Sequence, residues 1–294
     1  MQMEKTMLNI LPVPTFSWLG VNGSEHTVKQ YETAYISADD GIARLDVQEG
    51  SSYKLSVAEN QRSTVILYNN SDSSTSFEVN VSAADGSDVK LVEVFDSKAE
   101  TVTKVRAELG TRARFSLVQL YLGGSGTVSE IAVEQGARSE FTADIAYELR
   151  GKDRLDLNLL TEQSGRKSTS RIDVRGVLSG EAFKIFKGTI DFKSGASGAK
   201  GEEREDVLML GGSAVNKTVP LILCAEEDVE GSHGASIGRV DEKQVFYMRS
   251  RGIPEDKILA LLAQSRTDRV IRLIGDSVTE QRIKASLGRG EEDE

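Results

Sequence analysis

Among 294 residues there are one cysteine, two histidines, one tryptophan and four prolines. A lone thiol excludes a disulfide framework within the chain and a zinc centre built from several thiolates. Lys+Arg number 36 against 46 Asp+Glu, a formal charge of −10. The basic face that displaces phosphate counterions is therefore missing, and no nucleic-acid partner is expected. No apolar run approaches the ~18 residues of a membrane span. No basic stretch followed by an apolar one opens the chain, so the expectation is a soluble, cytoplasmic protein with no membrane partner. A GxxxxGKS or GxxxxGKT phosphate loop is absent, as are GxSxG, HExxH and CxxC.

What is plentiful is glycine, at 27 residues, and short β-rich segments. Residues 1–26 read as an extended strap. Pro12 and Pro14 forbid a helix, while Leu11, Val13, Phe16, Trp18 and Leu19 need cover from the main body. From 27 to 237 strand follows strand: Thr64–Tyr68, Phe77–Val81, Val89–Phe95, Phe115–Leu122, Ile131–Val133, Leu155–Leu159 and Ile185–Phe192. Leu155, Leu157 and Leu159 alternate with Asp156 and Asn158, the period of a strand with one buried face. Asp85-Gly86, Gly123-Gly124, Ser164-Gly165 and Ser179-Gly180 supply turns. So many short strands without helices mean a sandwich, a barrel or a solenoid, and the recurring short strands favour a parallel β-helix. Gly195–Glu205, small and charged, reads as a mobile loop. The loop Gly123–Gly126 has no helix behind it, so it reads as a turn and not a phosphate cradle.

The character changes near residue 238. Asp241 with Gln244 forms a capping-box start, and Gly252 a stop. Pro254 fits a first helical turn, followed by Ile258, Leu259, Leu261 and Leu262. Thr267 or Asp268 is expected to cap a third helix, with Gly275-Asp276 as an interruption. Residues 291–294, EEDE, form an acidic end.

Cys224 and His233 flank Glu226, Glu227, Asp228 and Glu230 at the β-to-helix junction. Thiolate, imidazole and carboxylate all bind iron. The plainer reading is a small thiol at a strand end, an incidental histidine and a solvated acidic run. His26, near the strap, reads as structural.

Residues 227–254, EDVEGSHGASIGRVDEKQVFYMRSRGIP, carry a more specific pattern: Ser232-His233-Gly234-Ala235, Gly238, Asp241-Glu242, Gln244, Phe246-Tyr247 and Ser250-Arg251-Gly252-Ile253. In this order they resemble the C-terminal part of the SufB/SufD family, scaffold subunits of the SUF iron–sulfur cluster assembly system. The chain looks like a short SufD-type member. The resemblance implies a mainly β fold, a right-handed parallel β-helix with a small C-terminal α-helical domain. It also implies domains at 1–26 (strap), 27–237 (core) and 238–294 (ATPase docking). The implied partners are a SufC-type ABC ATPase and a second scaffold, as homodimer or heterodimer. ATP hydrolysis then belongs to the partner, and this chain is not an enzyme. Cys224 and His233, with Glu226, Glu227 and Asp228, are the candidate groups for iron or for the paired interface. Any iron–sulfur cluster is expected to be transient, with no permanently bound cofactor. Gln244, Phe246, Tyr247, Arg249, Arg251 and Ile253 are the candidate docking residues. Gly231 stands where many SufD-type members have cysteine. Two alternatives stay open: a β-helix enzyme acting on polysaccharide, and a purely structural SufD-like stabiliser that never contacts iron.

Overall fold

The computed structural model describes residues 3–13, 19–37 and 41–288. Pro14, Phe16, Trp18 and the acidic end at 291–294 lie outside the described residues. The chain opens with an antiparallel hairpin, β1 (Met3–Leu8) against β2 (Ser24–Lys29). Two parallel sheets of eight strands follow. One holds β3 (Glu32–Ile36), β5 (Ser51–Val57), β7 (Thr75–Ala83), β9 (Thr101–Leu109), β11 (Thr127–Gln135), β13 (Arg154–Gln163), β15 (Phe183–Phe192) and β17 (Val215–Cys224). The other holds β4 (Ile42–Asp46), β6 (Arg62–Asn69), β8 (Asp88–Phe95), β10 (Arg114–Tyr121), β12 (Glu140–Leu149), β14 (Thr169–Ser179), β16 (Ala199–Leu210) and β18 (Val229–Arg239). The chain alternates between the sheets at each strand. This is a parallel β-solenoid.

Each residue sits on its counterpart one coil away, ~4.8 Å distant across the ladder. In the middle coils that counterpart is 26 residues earlier, as Gln119 on Glu93 and Ile131 on Val105. Inward rows are apolar and stacked. Phe115 lies on Phe141 with ring centroids 5.6 Å apart, and Phe95 on Tyr121 at 4.5 Å. The repeat is one of residue size and polarity, not identity, so it leaves no obvious sequence repeat.

The expected loop at Gly195–Glu205 is corrected here. Only the turn before Ala199 is irregular, and β16 runs from there, paired with β14 on one side and β18 on the other. Its inward row, Ala199, Gly201, Glu203, Glu205 and Val207, is buried. Charge disguised a strand whose acidic side chains are accommodated inside.

Three helices close the chain: α1 (Glu242–Ser250), α2 (Glu255–Ile274) and α3 (Ser277–Ser286). No cap interrupts α2 at Thr267 or Asp268, because nothing there breaks a helix. The break comes at Gly275, in the left-handed region with φ +68°, where a residue without Cβ avoids strain. Lys90 Nζ donates to the last α2 carbonyls, Leu273 O at 2.6 Å and Ile274 O at 2.8 Å, a cation at the negative helix end. Asp276 then caps α3 by accepting from Thr279 N, and a two-pronged bond from Arg44 holds its carboxyl well below the usual range. Val270, Ile271, Ile274 and Ile283 pack on Ile66, Val92, Val118 and Ala146, the outer face of the even-numbered sheet. So α2 and α3 lie along the solenoid, whereas α1 buries no residue.

The N-terminal segment covers the opposite face. Leu8 and Val28 pack on Val102 and Val128, and Leu11 and Val21 on Ile185 and Val219. Lys187, fully buried, donates to Asn9 O at 3.0 Å and Val21 O at 2.9 Å, and meets Asp156 at 2.9 Å.

Inside the solenoid, Glu93 receives a hydrogen bond from Gln119 Nε2 at 2.7 Å. Burial, opposed by that bond, pushes its pKa up to about 7. An acid raised on folding stabilises the fold fully below its unfolded pKa of about 4.5 and loses that contribution as pH rises through about 7. At about 1.4 kcal/mol per unit, the loss amounts to about 3 kcal/mol. Replacing Glu93→Gln is expected to flatten stability between pH 5 and 8, read as urea midpoints across that range.

Candidate functional site

The last coil, β17 and β18, has no further coil beneath it, so its inward side is open. In-register pairing fixes which side chains face that side. Cys224 pairs with the buried Phe192, and His233 with the buried Glu203. Both therefore belong to inward rows, on facing sheets of the same coil, and both are exposed. Glu226, Glu227 and Asp228 fall in the turn between these strands. Glu226 accepts from Gly195 N at 3.0 Å, and Asp228 from Ser197 Oγ at 2.8 Å, so two of these carboxylates fasten this turn to the one above. Among the described residues no group of three or more His, Cys, Asp and Glu is arranged to hold a metal ion.

One strand further in lies a charged cluster that the sequence reading missed. Lys184 and Glu205 are buried side by side and form an ion pair. Thr218 Oγ1 also donates to Glu205 at 2.6 Å, and the ammonium lies 5.6 Å from the Tyr147 ring centroid. Burial pulls the Lys184 pKa down, and Glu205 opposes it. Glu203 sits beside them with its carboxylate in space left by Gly188, where a Cβ would come within 2.2 Å of Glu203 Oε2. Burial, reinforced by Glu205, pushes Glu203 up to about 8. The stack Glu203 on His233 thus joins the interior cluster to the open coil. The signal available in the sequence was the alternation Ala199, Gly201, Glu203, Glu205, Val207.

The expected docking residues lie on or just after α1. Gln244, Phe246, Tyr247, Arg249 and Arg251 are exposed and Ile253 is half-buried. Phe246, at 75 % exposure, is among the most exposed large apolar side chains described. Arg251 stacks 5.1 Å from the Tyr247 ring centroid, and Arg249 pairs with Glu255 at 3.0 Å. Phe246, Val245 and Arg249 face Met209, Leu210 and Leu259 across a cleft of about 770 Å³.

The family profile described as SUF system FeS cluster assembly, SufBD core domain, matches residues 32–266. The chain belongs to the SufBD family. It is 41 % identical over 93 residues to the iron–sulfur cluster assembly protein SufD of Bacillus subtilis, covering 32 % of this chain and 21 % of that protein. Over 113 residues it is 28 % identical to SufD of Escherichia coli, covering 38 % and 27 %. With the chloroplastic SufBD family protein ABCI8 of Arabidopsis thaliana it shares 31 % over 98 residues, 33 % and 18 %. The matched stretches thus span less than a third of each relative's length. Membership of this family supports a role in iron–sulfur cluster assembly. No helix among the described residues is long and apolar enough to cross a membrane.

Lys184→Met leaves the Glu205 carboxylate buried without its cation, which costs about 3–5 kcal/mol. Chemical denaturation is expected to show that loss, and Lys184→Met combined with Glu205→Gln is expected to recover most of it.

Proposed function

We propose that this SufBD chain is a cytoplasmic scaffold for iron–sulfur cluster assembly that pairs through its last coil and carries a SufC-type ABC ATPase on α1. The observation that carries this reading is the bare final coil. Its two edge strands, of 10 and 11 residues, offer unpaired backbone groups to another chain. Ile237, on the inward row of β18, is 53 % exposed. A second SufBD-type chain, identical or different, covers these rows when two solenoids meet end to end.

Pairing also answers the ligand problem. One thiol does not hold a cluster, but two copies bring two Cys224 and two His233 to one junction. The cluster is then cargo, formed between chains and passed on. ATP hydrolysis belongs to the ATPase partner. The reading in which the chain only stabilises a complex differs at these side chains alone. In the pairing reading, Cys224→Ser and His233→Ala each reduce iron and sulfide bound after anaerobic reconstitution by at least half. Unchanged contents in both variants assign the chain to the stabiliser role.

The handle is tested without disturbing the fold, because α1 buries nothing whereas α2 and α3 cover the sheet. Removing the whole tail would expose Ile66, Val92 and Val118, so point substitutions are the sound test. Phe246→Ala with Tyr247→Ala is expected to weaken co-purification of a co-expressed SufC-type ATPase by about tenfold or more, the range of aromatic anchors, with unchanged melting temperature. Undiminished recovery removes α1 as the docking site.

A further inference from the structure

His26 does more than brace the hairpin. It stands on β2 with Ser24 and Val28 in one row, and Val28 is buried on Val102 and Val128, so the row faces the odd-numbered sheet. Ser24 Oγ and His26 Nε2 are 2.6 Å apart. On the other side of the ring, His26 Nδ1 lies 3.7 Å from Glu100 Oε1. A hydroxyl, an imidazole and a carboxylate thus stand in sequence, the arrangement that activates a serine nucleophile. With Nδ1 protonated toward Glu100, Nε2 is free to accept the Ser24 proton; this tautomer follows from the partners. The imidazole side chain is 15 % exposed, while Glu100 is 56 % exposed and free to close the longer gap.

The three residues open onto a cleft of about 430 Å³ at the N-terminal ends of β11, β13 and β15, within the size range of small-molecule sites. Its walls include Val128, Leu155, Phe183 and Ile185, and Arg154 stacks over Phe183 at 5.3 Å. Ser125 and Gly126 line it from outside the ladders, so strand pairing does not claim their amides.

We propose that Ser24, His26 and Glu100 form a serine-esterase site for short acyl esters bearing an anionic group. Ser24 Oγ attacks the acyl carbon as His26 Nε2 takes the hydroxyl proton. The acyl–oxygen bond breaks, His26 returns that proton to the departing alkoxide, and an acyl-Ser24 ester remains. Water, deprotonated by His26, then cleaves it to the free acid and regenerates Ser24. Glu100 is a positioning residue, the backbone of Ser125 and Gly126 at the cleft wall supplies the donors for the developing oxyanion, and Arg154 holds the anionic group. This site uses neither Cys224, His233 nor α1, so it stands or falls independently of the scaffold reading.

The test uses the full chain with 4-nitrophenyl acetate, 4-nitrophenyl hemisuccinate and a fluorophosphonate probe. Expected are labelling at Ser24, located by peptide mass, and ester hydrolysis that falls at least ~100-fold in Ser24→Ala and His26→Gln. Arg154→Ala is expected to abolish any preference for the hemisuccinate. Glu100→Gln is expected to lower kcat ~10-fold with KM unchanged, a split that loss of packing alone would not give. A Ser24→Ala rate within twofold of the parent overturns the proposal. So does probe attachment elsewhere, or none. Should Ser24→Ala fail to fold, labelling of the parent chain decides alone.

Discussion

In-register stacking is the constraint on which the molecule rests. In a parallel solenoid each inward side chain has its nearest neighbours fixed, directly above and below on the same row and across the lumen on the facing sheet. Apolar rows satisfy this without cost, as the Phe95–Tyr121 and Phe115–Phe141 stacks do. A polar residue inside must find its partner within that small set. Gln119 finds Glu93 one coil up, and Lys184 finds Glu205 across the lumen. Glycine enters the same logic through volume: Gly176 leaves room for the Tyr147 ring, and Gly188 for the Glu203 carboxylate. The interior is therefore specified residue by residue even though no sequence repeat survives.

The same rule explains where the molecule is unfinished. Every coil but the terminal ones is covered on both sides by its neighbours. At the last coil, rows that would be buried elsewhere carry Cys224, His233 and Ile237 in the open. The helices do not cover this end: α2 and α3 are committed to the flank of the even-numbered sheet, and α1 stands clear of it. Openness of the coil and freedom of α1 are thus two results of one packing choice. An edge of this length left bare carries a row of unpaired backbone groups, and α1 leaves Phe246 and Tyr247 exposed.

Much of this was legible from local chemistry. Alternation such as Leu155, Leu157 and Leu159 announced strands with one buried face. Asp85-Gly86 and Ser179-Gly180 announced turns, and Gly86 and Gly180 both adopt positive φ. The Ser232–Ile253 pattern pointed to the family. What misled was charge. Gly195–Glu205 looked solvated because nothing local shows that Lys184, a coil-spanning partner, waits for Glu205. At Thr267 and Asp268 good cap residues fell inside a helix, since a capping side chain stops a helix only where the backbone also turns. Ser24, His26 and Glu100 escaped for a related reason. Two of them are neighbours on β2, but the third is brought in by the hairpin folding back on the sheet, a contact no local pattern encodes.

The two ends of the chain play a different part from its middle. Solenoid coils touch only adjacent coils, so a solenoid by itself is held by near-neighbour terms and can open from its ends. Here the N-terminal segment reaches far along the chain: Lys187 holds the carbonyls of Asn9 and Val21 at separations of 178 and 166 residues. The C-terminal helices reach back equally far, with Asp276 gripping Arg44 across 232 residues. One clasp lies on each outer face, and each ties late coils to early ones. Opening any single coil at either end then disturbs contacts anchored at the other, which converts a one-dimensional stack into a cooperative unit. Contacts at such separations raise the contact order, which slows folding. A last coil with no further coil against it gains no stability from burial there, so the two clasps supply it elsewhere.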